Sequence, residues 1–137
     1  MAELHGNQAI EAAAVAWVIE LERVAGREPV DRRFEKAFPG DIDSPPRIIE
    51  VKATNRSYRG WFLPLQPVQV ERGLADPNFY IYVVENVAQG DPSLFTLKVL
   101  AGARLRRLLA KAVARTSYEV PWPVAEYEDA PTSLEPD

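Results

Sequence analysis

Arg47-Ile48-Ile49-Glu50-Val51-Lys52-Ala53 is the stretch that decides the fold. Its isoleucines and valine predict a β-strand. Strand side chains alternate between faces, so Glu50 and Lys52 point one way and Val51 points the other way, into a core. A carboxylate and an ammonium on a short apolar strand are costly to bury without partners. Upstream, Phe38-Pro39-Gly40 is a turn signal leading into Asp41-Ile42-Asp43, and Ser44-Pro45-Pro46 is a second turn, because paired prolines cannot donate to a ladder. Asp41 and Glu50 therefore flank a tight connection that brings two acids together without adjacency in sequence. Two acids and a lysine are the equipment of a divalent-metal phosphodiesterase site, and the chain reads as a candidate nuclease.

Outward from this strand, residues 7–25 predict a helix, with Asn7 as N-cap and Gly26 just past the end. Ile10, Ala13, Ala14, Trp17, Val18 and Leu21 form its apolar stripe, with Glu11 near its start and Glu20, Glu22 and Arg23 read as solvated. Residues 28–34 predict a short strand with Val30 inward, and Trp61 to Leu63 another. Residues 65–75 predict a helix with Pro67 in its first turn, stopped by Asp76-Pro77. Residues 79–87 predict a strand so uniformly apolar that both of its faces must be covered. A strand over 94–100 and a helix over 103–114 follow. The order α-β-β-β-α-β-β-α implies an α/β fold, a mixed central sheet with helices on both faces. Residues 1–115 form one domain, and residues 116–137 an extended, acidic, proline-bearing arm that packs Trp122 and is disordered over 128–137.

Composition narrows the chemistry. The 137 residues contain no cysteine, which excludes disulfides and thiolate zinc sites, and a single histidine, His5, which argues against a histidine-rich metal site or a Ser-His-Asp triad. Carboxylates remain as metal ligands, favouring Mg²⁺ or Mn²⁺. No apolar run is long enough for a membrane span, and no signal-peptide core opens the chain, so a cytoplasmic location is expected. The net charge of −4 is unevenly placed: residues 116–137 hold six acids and no base, whereas residues 98–115 hold six bases and no acid. The overall sign is set by the tail, and the body can present a basic face.

The stretches Ala9-Ile10-Glu11, Gly40-Asp41-Ile42-Asp43-Ser44, Arg47-Ile48-Ile49-Glu50-Val51-Lys52 and Phe79-Tyr80-Ile81-Tyr82-Val83-Val84 resemble the NO VEIN C-terminal-like domain family. This is a branch of the PD-(D/E)xK restriction-endonuclease-like superfamily, and the resemblance spans residues 7 to about 115. It implies a restriction-endonuclease-like three-layer fold and a metal-dependent nuclease site. Carried over, Asp41 and Glu50 are metal ligands, Lys52 is the catalytic lysine, and Glu11 is the helical acid that completes or supports the site. The chain departs from the family where Gly40 replaces a frequent aromatic before the aspartate, which keeps Asp43 as an alternative ligand.

In this reading the Val51 carbonyl is a further metal ligand, since it lies between the two site side chains. Arg56 and Arg59, on the polar loop after the strand, contact phosphates. Tyr58 and Trp61 stack on a splayed base, and Gln66 or Gln69 matches a glutamine that follows the lysine in related nucleases. Structural alternatives stand beside each role. Glu50 and Lys52 pair with each other or with Arg47 on an exposed strand, Glu11 is a first-turn acid favoured by the helix dipole, Asp43 is a turn acid beside Ser44-Pro45, the preferred reading for it, and the bases of residues 98–115 are a solvated helix face. The leading expectation is a Mg²⁺-dependent endonuclease acting on DNA in defence or repair, alone, as a homodimer or inside a larger complex. Its rival is a non-catalytic module of the same fold that binds a partner protein or nucleic acid.

Overall fold

The computed structural model describes residues 6–134, so His5, Glu135 and Asp137 lie outside them. Helix α1 (Asn7–Val24) is followed by strands β1 (Val30–Asp31), β2 (Ile42–Ser44) and β3 (Arg47–Ala53). Helix α2 (Pro67–Ala75), strand β4 (Phe79–Glu85), two 3₁₀ turns, strand β5 (Thr96–Leu100) and helices α3 (Gly102–Leu109) and α4 (Val124–Asp129) complete the chain. The sheet runs β1-β2-β3-β4-β5. Only the central pair, β3 and β4, is parallel; Glu50 lies opposite Ile81 and Lys52 opposite Val83. The helix-containing connection through α2 makes that parallel pairing possible.

Three layers result. On one face, Ala14, Val15 and Val18 of α1 pack on Ile42, Ile49, Val51, Tyr82 and Val84. On the other, Leu105 and Leu109 of α3 pack with Val70 of α2 on Phe79, Ile81 and Val83. Both faces of β4 are thus covered, as its apolar run requires. Gly73 lets α2 approach α3, because a Cβ there would collide with Leu109 and press on Phe79. Among the described residues no helix is long and apolar enough to cross a membrane.

Several expectations are corrected. The strand expected over 28–34 is only Val30–Asp31, and Val30 faces solvent. Trp61 to Leu63 forms no strand; the third strand before α2 is instead Ile42–Ser44, paired antiparallel with both β1 and β3. The segment 41–43 is short and hemmed by turn residues, which hid it. Strand β4 stops at Glu85 because Asn86 adopts a left-handed φ of 64°. The helix expected over 103–114 ends at Leu109, the last residue with a core to meet, and Ala112 is exposed. Trp122 does not pack into the core; it is exposed and meets Tyr127 of α4 edge-on, 5.9 Å between ring centres. The arm is not extended throughout: Val124–Asp129 form α4, so residues 128 and 129 of the stretch expected to be disordered are helical, and its end, 135–137, lies outside the described residues.

Candidate active site

Asp41 is seated by backbone geometry. Its N–H donates to the Ile49 carbonyl at 2.8 Å, and its Oδ2 accepts the Val51 N–H at 2.8 Å. Ile42 is the last β2 residue to pair with β3, opposite Ile49, so the Asp41 carboxylate takes over the ladder position that β2 vacates. Gly40 permits this approach. A Cβ at Gly40 would stand 2.9 Å from the Ile49 carbonyl oxygen, closer than real Cβ atoms sit. The glycine that departs from the family's aromatic thus brings the aspartate against β3. Asp43 lies apart, paired with Arg32 at 3.7 Å and outside the cleft wall.

Glu50 is 4% exposed. Its Oε2 accepts a short bond from Gln69 Nε2 and lies 3.6 Å from Lys52 Nζ. Gln69 is itself pinned, because its Oε1 accepts the Gln66 N–H at 3.0 Å in a reciprocal cap that starts α2. With its oxygen engaged there, the amide must offer its NH₂ group to Glu50. Period two also fixes the Val51 carbonyl. Ile49 and Val51 both turn their peptide groups toward Asp41, so this carbonyl faces the same edge, past the end of β2.

Asp41, Glu50, Val51, Lys52, Glu11 and Tyr58 all line one cleft of about 400 Å³, between the start of α1 and the loop after β3. Burial pushes the Glu50 carboxyl up to about 9, the nearby Asp41 carboxyl adds to the rise, and Lys52 and Gln69 oppose it. Two carboxyls this close cannot both stay ionised without a counter-charge. A proton shared between them or a bound cation satisfies the pair. The donors fit a hard divalent ion: two carboxylates and a backbone carbonyl, all oxygen. Among the described residues, no group of three or more acidic or histidine side chains could hold a metal ion, so Glu11 shares the cleft without joining such a group.

The family model for the C-terminal region of protein NO VEIN matches residues 10–97, from α1 into β5. The chain belongs to the NO VEIN C-terminal family. No curated protein and no solved structure matches the chain.

In this NO VEIN C-terminal domain the pairing of Glu50 with Lys52, considered for an exposed strand, occurs on a buried one. Arg47 takes no part in it. Its guanidinium lies 4.4 Å over the Tyr80 ring and donates to the Tyr82 hydroxyl at 2.6 Å. Tyr58 is half-buried and anchored: its N–H donates to Glu85 Oε2 at 2.7 Å and its hydroxyl to the Ala53 carbonyl at 3.1 Å. It forms a wall of the cleft, while its neighbours Arg56 and Arg59 are exposed. Gln69 sits behind Glu50, apart from the cleft wall. Arg104, Arg106 and Arg107 of α3 face solvent.

Sequence reasoning missed Glu22. It is 2% exposed, not solvated. Its carboxylate accepts from Arg27 Nε at 2.6 Å, Arg27 Nη2 at 2.7 Å, Ser44 Oγ at 3.0 Å and the Tyr82 hydroxyl at 3.0 Å. A local signal existed. The Gly26 N–H bonds the Arg23 carbonyl and the Arg27 N–H bonds the Glu22 carbonyl, a helix-ending turn that folds Arg27 back over Glu22.

Proposed function

We propose that this chain is a divalent-metal-dependent nuclease of the restriction-endonuclease-like type, an endonuclease cutting DNA in defence or repair. The observation that carries the reading is the buried Glu50 with the half-buried Asp41 against it and Lys52 Nζ 3.6 Å away, all three lining one cleft. An ion pair needed only for stability has no reason to crowd a second carboxyl against the first. The C-terminal half of β3, one of the two parallel strands, lines this cleft, and the ends of parallel strands are where open α/β sheets bind ligands.

Asp41, Glu50 and the Val51 carbonyl would hold Mg²⁺ or Mn²⁺, with Glu11 acting at the rim. When bound, such an ion polarises a phosphoryl oxygen and acidifies a bound water. Lys52 Nζ is a compact donor able to orient the attacking water or to take up charge on a phosphoryl oxygen. Gln69 holds Glu50 Oε2 from behind and so aims the other carboxylate oxygen, Oε1, away from α2. The decisive experiment is a cleavage assay of the purified chain on DNA and RNA forms with Mg²⁺ and Mn²⁺. Lys52→Ala should abolish cutting while far-UV and near-UV circular dichroism stay unchanged. If no substrate is cut with either metal, the enzyme reading of this chain fails.

One observation favours a second reading, a binding module of the same fold without catalysis. Among the described residues only two acids converge closely, and Glu50 already has Gln69 and Lys52 as partners. Calorimetric titration with Mn²⁺ separates the two. A nuclease shows a site that disappears in Asp41→Asn; a pure binding module shows none.

A further inference from the structure

Three large aromatic side chains stand in solvent around the cleft. Phe34 is 88% exposed, Trp61 79% and Phe62 69%. Trp61 and Phe62 sit between Tyr58 and Pro64, both of which line the cleft. Phe34 lies two residues past Arg32, whose N–H donates to the Asp41 carbonyl at 2.8 Å, which puts it on the Asp41 side of the cleft, away from Trp61 and Phe62 in the chain. Exposing such rings forfeits the burial that would normally remove them from water.

Two of the three rings are matched with cations. Arg33 lies 5.1 Å from the centre of the Phe34 ring, and Arg115 lies 4.9 Å from that of Phe62. A guanidinium covers one face of a ring and leaves the other open. Arg56, Arg59 and Arg115 have no carboxylate within ion-pair distance among the described residues. An apolar protein partner would favour rings without a fringe of unpaired positive charge. A polyanion carrying flat rings favours this pattern.

We infer that the cleft takes an unpaired nucleic-acid strand, with bases stacking on Phe34, Trp61 and Phe62 and phosphates meeting Arg56, Arg59 and Arg115. In a duplex the base faces are already stacked on one another and present no free surface to these rings. A strand that enters with its bases splayed gains stacking on both sides of the acidic pair. The cleft volume of about 400 Å³ suits one nucleotide at the reacting centre rather than a stacked base pair. This substrate class rests on the nuclease reading for its chemistry, but the binding surface is separate from Asp41, Glu50 and Lys52.

The test is fluorescence anisotropy with the full chain in EDTA, so that binding is read without cutting. The probes are a labelled single-stranded oligothymidylate, the same length of oligouridylate and a blunt DNA duplex. Either unpaired strand should bind at least about tenfold tighter than the duplex. Phe34→Ala and a Trp61→Ala/Phe62→Ala double variant should each weaken strand binding by about 5–100-fold. Both replace exposed side chains, so thermal melting should be unchanged. Equal or tighter duplex binding overturns the inference, as does full strand affinity in both aromatic variants. Loss of self-association in light scattering, with strand binding intact, would overturn it by assigning the rings to a second copy of the chain. Strand binding without cutting under Mg²⁺ or Mn²⁺ leaves this inference standing and removes only the nuclease reading.

Discussion

Glu22 and Glu50 are both buried carboxylates, one on each face of the same sheet, and they are treated in opposite ways. Glu22 meets four donors, two of them from a guanidinium. Burial alone would push its carboxyl up, but the bonds from Arg27, Ser44 and Tyr82 more than offset this and hold it below the usual range. Glu50 is as little exposed but more deeply enclosed, and it faces another carboxyl, with one amide and one ammonium as counterweight. Its carboxyl rises to about 9. Burial raises both carboxyls; the donors around each decide whether that rise is overcome. Glu22 is saturated and ties α1 to β2 and β4. Glu50 is left short of positive charge, which is the condition for recruiting a cation.

The largest expected effect tests the Glu50 side. Glu50→Gln should lower metal-dependent cleavage by about 10³-fold or more. Yet the same variant should melt higher than the wild type at pH 8 without metal, by on the order of 1–3 kcal/mol, since it removes a poorly compensated buried acid. The sign follows from linkage. Glu50's folded pKa lies above its ordinary 4.5, so the unfolded chain loses its proton first. Stability declines as pH rises from about 4.5 toward 9 and is unaffected by this group below 4.5. Melting curves of wild type and variant should therefore diverge above pH 4.5, and Mn²⁺ should raise the wild-type midpoint more at pH 8 than at pH 5. Identical curves at every pH would mean that Glu50 carries no such burden.

Glu22 should behave as the mirror image. Glu22→Ala strands Arg27, Ser44 and Tyr82 and should destabilise the fold by about 3 kcal/mol in urea melts. Because its folded pKa is depressed, its contribution is present above about pH 4.5 and is lost as pH falls through the folded value. The wild type should thus lose stability on the acid side, and Glu22→Gln should flatten that limb. A Glu22 variant as stable as wild type would erase the contrast.

These two acids also show what was legible in the sequence. The alternation of β3 placed Val51 in the core and Glu50 with Lys52 on the other side, because strand periodicity is a local rule. The two turn signals around residues 38–46 located Asp41 beside β3. Glu22 was legible only in part: Gly26 marks the turn that returns Arg27, but two of its partners, Ser44 and Tyr82, lie 22 and 60 residues away. Sequence pattern reports faces and turns, whereas the pairing of a polar group across layers is a tertiary fact. The same limit explains Trp61 to Leu63. Their composition suits a strand, but the sheet already ends at β1 and β5, and the segment passes along the cleft instead. Gln69 was noticed for its position after the lysine, but its link to Glu50 depends on the cap of α2, which no spacing rule specifies.

A smaller effect should come from Gly40. Gly40→Ala places a Cβ 2.9 Å from the Ile49 carbonyl oxygen, and the obstacle is backbone, which yields little. A cost of about 1–3 kcal/mol is expected, with a larger relative loss in Mn²⁺ affinity, since Asp41 must retreat from β3. Calorimetry and melting on the same sample separate the two. If Mn²⁺ affinity survives while stability falls, the glycine serves packing alone.

The smallest expected effect belongs to Glu11 and sharpens the comparison, because it asks how far the acidic pair extends. Glu11 lines the cleft from α1, but no group of three acids that could hold a metal ion is present among the described residues. Its charge reaches Arg33, as does that of Asp41, so its influence on a cation runs through the field or through a water. Glu11→Gln should then weaken Mn²⁺ binding by about tenfold at most, far less than Asp41→Asn, which removes a direct ligand. It should leave the Glu50-dependent melting profile above pH 4.5 in place, because Asp41 and burial raise that carboxyl without help from α1. If Glu11→Gln instead abolishes Mn²⁺ binding as completely as Asp41→Asn, the start of α1 must close onto the ion, and the cation is held by both faces of the sheet rather than by the β2–β3 corner alone.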